Sequence, residues 1–145
     1  MYTVKDILDD KGHEVWTISP DAKVISALKL MAEKGIGALV VMDRKKVRGI
    51  LSERDYARKI MLQGKSSLDT LVKEIMTTQV LCVSLEATVE ECMAVMTKKR
   101  IRHLPVVDKG KLLGLVSIGD VVKSVISQQK IAIEHLQNYI VGKYL

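Results

Sequence analysis

Apolar residues along the chain follow two different spacings. Unbroken apolar runs at Ala38–Met42 and Leu104–Val107 read as strands buried on both faces. Ahead of each run, apolar residues recur at helical spacing: Val24, Leu28 and Met31 before the first, Val89, Met93 and Met96 before the second. That spacing predicts a helix with one face on a core, its methionines included. Ser19-Pro20 reads as a helix start, with Ser at the N-cap and Pro at the first helical position, and Gly35 is placed to close that helix. Polar turns, Asp43–Lys46 and Asp108–Lys111, follow the buried runs. Second strands, Val47–Leu51 and Leu112–Val116, follow the turns, and a further helix begins after each. A short N-terminal helical turn and a brief strand, Val15–Ile18 or Val80–Val83, open each set. The order is β-α-β-β-α, twice.

The two sets are copies. At a shift of 65 positions Ser19 falls on Ser84, Val24 on Val89, Met31 on Met96, Leu39 on Leu104, Asp43 on Asp108, Gly49 on Gly114, Ser52 on Ser117 and Asp55 on Asp120, with no gap from Ile18 to Met61. Upstream, Val4–Leu8 matches Val72–Met76 at a shift of 68, so the first copy carries three extra residues, expected in the loop Asp9–Val15. A register held this long marks an internal duplication. A unit of about 60 residues buries little surface alone. The expected architecture is therefore an α/β chain of the α+β type, two copies packed about a pseudo-two-fold axis around a shared core. Copy one spans residues 1–68, copy two 69–126, and an amphipathic tail helix 127–145. In the tail, Ile131, Ile133, Leu136, Tyr139, Ile140 and Leu145 alternate with Gln128, Lys130, Glu134 and Gln137. Such a helix covers its own domain or packs against another protomer.

Composition narrows the picture further. An apolar fraction of 48% in 145 residues excludes disorder, and an aromatic fraction of 3% without Phe makes the core aliphatic. The net charge of +6 suits an anionic partner or plain solubility. Nucleic-acid binding driven by charge stays open, but the chain has few rings on which single-stranded bases could stack. Cys82 and Cys92 form no CxxC pattern and lie among apolar neighbours, as buried free thiols do. Charged residues close behind Met1 do not fit a secretory leader, and no apolar run reaches the roughly 18 residues of a membrane span. A reduced cytoplasm is the expected compartment.

Candidate chemistry sits where each second strand ends. Copy one reads Gly49-Ile50-Leu51-Ser52-Glu53-Arg54-Asp55, and copy two reads Gly114-Leu115-Val116-Ser117-Ile118-Gly119-Asp120. The Gly permits close backbone approach. The Ser and the following amides open a helix, a place that favours an anion. An Asp three residues on can accept both hydroxyls of a ribose diol. The same Ser-x-x-Asp pattern is also a capping box, in which Ser and Asp satisfy each other's backbone amides. Both readings stand on the local pattern.

The repeated order, the segment Arg100–Asp108 (RIRHLPVVD) and the two Gly-x-x-Ser-x-x-Asp corners resemble a tandem pair of CBS (cystathionine-β-synthase-type) domains, the arrangement called a Bateman module. GALVVMD and GILSERDY in the first copy resemble a bacterial stand-alone subgroup. The resemblance runs from Val4 to about Ile126. It implies two clefts between the copies, each able to hold an adenosine-containing ligand: AMP foremost, with NAD, ATP or S-adenosylmethionine as alternatives. One cleft takes Ile50, Ser52, Arg54 and Asp55 from copy one, Val80 and Leu81 beside the adenine, and Arg102 and His103 toward the phosphate. The other takes Leu115, Ser117 and Asp120, with Thr17, Ser19, Ile36, Gly37 and Ala38 opposite. The resemblance also implies a homodimer joined through helices and an unidentified regulated protein.

The clefts differ in charge. Gly37 and Ala38 match Arg102 and His103, and Gly119 matches Arg54, so the Asp120 cleft gathers none of these basic groups. Charge-assisted hydrogen bonds contribute about 1.5–3 kcal/mol each. The Asp55 cleft is therefore the expected nucleotide site and the other the weaker one. Lys98, Lys99 and Arg100 are expected on a solvated helix face; Arg58 and Lys59 are either solvated or phosphate-facing; His103 is either structural or a ligand contact. No Ser/His/Asp set, phosphate-binding loop or HExxH is present, and His13, His103 and His135 lack metal-ligand spacing, so a non-catalytic module is expected. Three function classes follow: an adenylate-binding regulator, a structural or dimerisation module with vestigial clefts, and a charge-driven nucleic-acid binder.

Overall fold

Each copy is framed by a hairpin in the computed structural model, which describes residues 2–141. In the first, β2 (Ala38–Asp43) and β3 (Lys46–Ser52) pair antiparallel, with Ala38 opposite Ser52. In the second, β4 (His103–Asp108) and β5 (Lys111–Ser117) repeat that register, with His103 opposite Ser117. Both turns run through two residues of positive φ, Arg44-Lys45 and Lys109-Gly110, the geometry a tight hairpin needs. Helices α2 (Val24–Lys34) and α5 (Val89–Lys99) lay Val24, Ala27 and Met31, or Val89, Cys92 and Met96, onto the hairpins. Gly35 closes α2 at φ 63°, as expected; its counterpart Arg100 closes α5 at φ 54°.

Several local expectations change. The opening strand of copy one is only β1 (Thr17–Ile18), parallel to β2. Val80–Val83 is no strand; Val83 alone bridges to Val106. Cys82 in that stretch is exposed, whereas Cys92 is buried. Ser19-Pro20 does not start α2. The Ser19 hydroxyl accepts from the Asp21 amide (3.2 Å) in a turn, and the Pro20 and Ala22 carbonyls accept from Lys73 and Val72 (2.9 and 2.8 Å). Carbonyls committed to another segment cannot enter a helix ladder, so α2 begins at Val24 behind Lys23. Met31 and Met96 are core, but Met61 and Met93 are exposed. Met93 joins Ile118, Val122 and Ile126 along an apolar groove that stands open among the described residues.

The expected shared core is instead two cores, one per copy, tied together because the short helices trade places between the copies. α1 (Val4–Lys11) packs Val4, Ile7 and Leu8 into the core of copy two, beside Leu104, Val106 and Val116. α4 (Val72–Ile75) packs Val72 and Ile75 into the core of copy one, beside Leu39, Val41 and Leu51. The exchange is pinned by matching backbone bonds: the Val4 and Lys5 amides donate to Ala87 and Leu85, as those of Val72 and Lys73 do to Ala22 and Pro20. It also explains the repeated glycine. A Cβ on Gly49 would lie 2.7 Å from the Thr77 carbonyl oxygen, and one on Gly114 would lie 2.8 Å from Leu8 Cδ2. At Gly49 only glycine lets the backbone of the exchanged segment lie this close to the strand, whereas a Cβ on Gly114 would have to push the Leu8 side chain aside.

The second strands lead into α3 (Glu53–Tyr56), which widens into a π turn (Ala57–Met61), and into α6 (Ile118–Val141). The expected tail helix is thus the continuation of the last helix of copy two. Ile131, Ile133 and Leu136 are exposed on it. The side chains of Tyr139 and Ile140, and Leu145, lie outside the described residues.

Candidate functional site

Both Ser-x-x-Asp corners are capping boxes. Asp55 Oδ2 accepts from the Ser52 amide and hydroxyl, both at 3.0 Å, while the Asp55 amide donates back to Ser52 Oγ (3.2 Å). Asp120 Oδ2 accepts from the Ser117 amide (2.8 Å), and its own amide donates to Ser117 Oγ (3.2 Å). Capping leaves the other oxygen of Asp55 turned outward. Oδ1 accepts from the Thr77 hydroxyl (3.0 Å) and lies 3.3 Å from the Lys59 ammonium. The carboxylate is buried, and its residue lines a cleft.

The cleft itself measures about 780 Å³. One wall is the copy-one corner with Ile50, Ser52, Arg54 and Asp55; the other is Thr77, Gln79, Val80 and Leu81 and the strand entry with Arg102 and His103. All eight residues expected at the first cleft line this one space. Six cationic side chains, Arg54, Arg58, Lys59, Lys99, Arg100 and Arg102, face it against two carboxylates, Glu53 and Asp55. Lys99 and Arg100 are exposed, as a solvated helix face requires, but they also form the rim. Arg54 is steadied by a 3.1 Å bond to the Arg100 carbonyl. Thr77, Gln79 and Glu53 were not singled out by the sequence. For Thr77 and Gln79 the change from apolar to polar after Met76 is the only signal; Glu53 lies inside the repeated corner itself.

The second set is arranged differently. Gly37 lines the first cleft and accepts from the Glu53 amide (3.0 Å). Ala38 is buried, Ile36 packs onto the first core, Ser19 sits in its turn and Thr17 is exposed on β1. The corner opposite is also not free of basic groups. The Lys11 ammonium lies 2.7 Å from Asp120 Oδ2 and 2.9 Å from the Leu115 carbonyl oxygen. Asp120 lines a hollow of about 50 Å³ with Lys11, Lys123 and Asp10 among its neighbours.

The CBS-domain family model matches residues 3–62 and 72–127, the two copies in turn. The chain belongs to the CBS-domain family. It is 39% identical over 152 residues to the mitochondrial CBS domain-containing protein CBSX3 of Arabidopsis thaliana, covering 98% of this chain and 73% of that protein. A CBS-domain structure from Burkholderia ambifaria MC40-6 is 55% identical with a TM-score of 0.84, over 88% of this chain and 96% of that one. The CBS pair of protein MJ0100, in complex with 5-methylthioadenosine and S-adenosyl-L-methionine, is 26% identical with a TM-score of 0.79, over 88% and 98% of the two chains. Among the described residues of this CBS pair, no helix is long and apolar enough to cross a membrane, and no cluster of three His, Cys, Asp or Glu could hold a metal ion.

Titration separates the charged groups of the pair. Burial pushes the His103 pKa below its ordinary 6.5; the Asp120 charge opposes that shift, while Lys11 and Arg102 add to it. His103 is thus neutral near pH 7 and offers a hydrogen bond to a ligand, not a charge. Burial pulls the Asp120 carboxyl upward, but Lys11 and the Ser117 amide and hydroxyl outweigh it, and the group stays below 3.8. The sign for His103 follows from linkage. The unfolded chain binds the proton that the folded chain refuses, so stability is present above the unfolded pKa and is lost as pH falls below about 6.5. Urea unfolding between pH 8 and 5.5 should show this decline, and His103→Gln should flatten it.

Proposed function

We infer that this CBS pair is a regulatory module that binds an adenosine-containing nucleotide, AMP foremost, in the Asp55 cleft. The observation that carries the reading is the single cleft of about 780 Å³ into which both copies send the expected residues. Adenine fits between Ile50, Val80 and Leu81. The ribose diol bonds Asp55 Oδ1 in place of the Thr77 hydroxyl. Arg54 and Arg102, with Lys99 and Arg100 on the rim, meet the phosphate, and His103 donates or accepts one bond. NAD and ATP share the adenylate half and fit the same contacts. The adenosyl ligands of the MJ0100 pair support the ligand class. Binding that bridges two copies shifts their relative populations and so reaches a regulated partner. The apolar groove at Met93, Val122 and Ile126 supports the homodimer that the family resemblance implies.

A thermal-shift panel of AMP, ATP, NAD and S-adenosylmethionine tests the reading. AMP at 100 times its Kd should raise the melting temperature by about 5–10 °C. No shift from any of the four supports a structural module with vestigial clefts. Salt-sensitive DNA or RNA binding that AMP does not compete supports the nucleic-acid reading.

A further inference from the structure

The two corners present the same pair of acceptors, but different groups satisfy them. In the first, the Ile50 carbonyl accepts from the Thr77 amide (2.8 Å) and Asp55 Oδ1 from the Thr77 hydroxyl (3.0 Å). In the second, the matching Leu115 carbonyl and Asp120 carboxylate both accept from the Lys11 ammonium, at 2.9 and 2.7 Å. The cause lies in helix length. α4 ends after four residues, and the chain turns to run beside β3 at Thr77; α1 continues to eight residues and ends on Lys11. The three extra residues of copy one, expected as loop, follow a helix that is one turn longer than its counterpart. That turn delivers Lys11 to a corner 104–109 positions away in sequence.

We propose that Lys11 is an internal occupant of the second corner, holding the two acceptors a ribose would need and making the pair a one-site receptor. The proposal rests on the corner aspartates being diol acceptors. At Asp55 Oδ1 a ligand hydroxyl can replace the Thr77 hydroxyl while the Lys59 ammonium, 3.3 Å away and donating to the Ile75 carbonyl, stays in place. Asp120 offers no such neutral exchange. A diol brings no charge, so displacing Lys11 separates an ammonium from a half-buried carboxylate already bonded to the Ser117 amide, and nothing the ligand's hydroxyls offer replaces that pairing. Lys11 is exposed, but the Asp120 side chain is only 20% exposed, so the carboxylate end of the pair is shielded from the solvent that would help separate it.

Lys11→Met keeps the apolar stem and removes the charge. By calorimetry with AMP, the variant should bind one equivalent more than the parent protein, and adding Asp120→Asn should remove that equivalent. Lys11→Arg retains the ion pair and should keep the parent stoichiometry. A folded Lys11→Met protein that gains no equivalent at millimolar AMP overturns the proposal; if that variant melts too low to measure, Lys11→Gln is read in the same way. A parent protein that binds no AMP shows instead that the Asp55 reading fails. The equivalent gained on removing Lys11 remains the deciding result for the second corner.

Discussion

Asp55→Ala is expected to weaken AMP binding by about 100-fold or more, whereas Asp120→Ala changes it by less than about threefold. The first figure follows from two diol bonds to a carboxylate at about 1.5–3 kcal/mol each, with tenfold in affinity per 1.4 kcal/mol. The second follows from Asp120 already being paired with Lys11. Calorimetric titration of both variants checks the contrast, and equal losses would sink it. Asp55 also caps α3, so its removal costs about 0.5–2 kcal/mol of stability independently of ligand. Asp55→Asn separates the two effects. Its amide oxygen can still accept from the Ser52 amide, so the variant should keep most of its melting temperature and still lose most of its affinity.

Leu8→Ala is expected to destabilise the whole chain by about 2–5 kcal/mol, because a fully buried leucine leaves a cavity as well as its transfer energy. Leu8 has 0% exposure, lies against Gly114 and belongs to the core of copy two although it sits in the first turns of copy one. Urea unfolding measures the loss. Leu62→Ala, at an 81% exposed position, serves as the control and should change stability by less than about 0.5 kcal/mol. Equal effects from the two substitutions would remove the evidence that α1 completes the second core.

The hairpins and covering helices were legible because they are local. Buried runs, helical spacing and the 65-residue shift place β2 to β5 to within a residue or two and put helices where α2 and α5 lie, except that α2 starts late. That exception has a nonlocal cause: the Pro20 and Ala22 carbonyls are taken by α4, some 50 positions on. The exchange of α1 and α4 left no local trace either, since Val4–Leu8 reads equally well as a helix on either core. For the site, the shift supplied the corners, and the resemblance supplied the facing residues that the cleft brings together. Thr77 and Lys11 escaped because their partners, Asp55 and Asp120, lie far along the chain. The step from a shift of 68 to one of 65 was the visible sign that the two corners are built differently, but a change of register does not say what fills the difference.

The exchange of short helices also orders events during synthesis. The first half can finish its core soon after α4 leaves the ribosome, since Val72 and Ile75 follow their partners in sequence. α1 is made before both cores and finds nothing to cover until β4 and β5 appear, about 100 residues later. At roughly 5–20 residues per second, its apolar face waits on the order of 5–20 s. α1 thus waits for strands made long after it, and the second half closes around a segment made before any of its own strands.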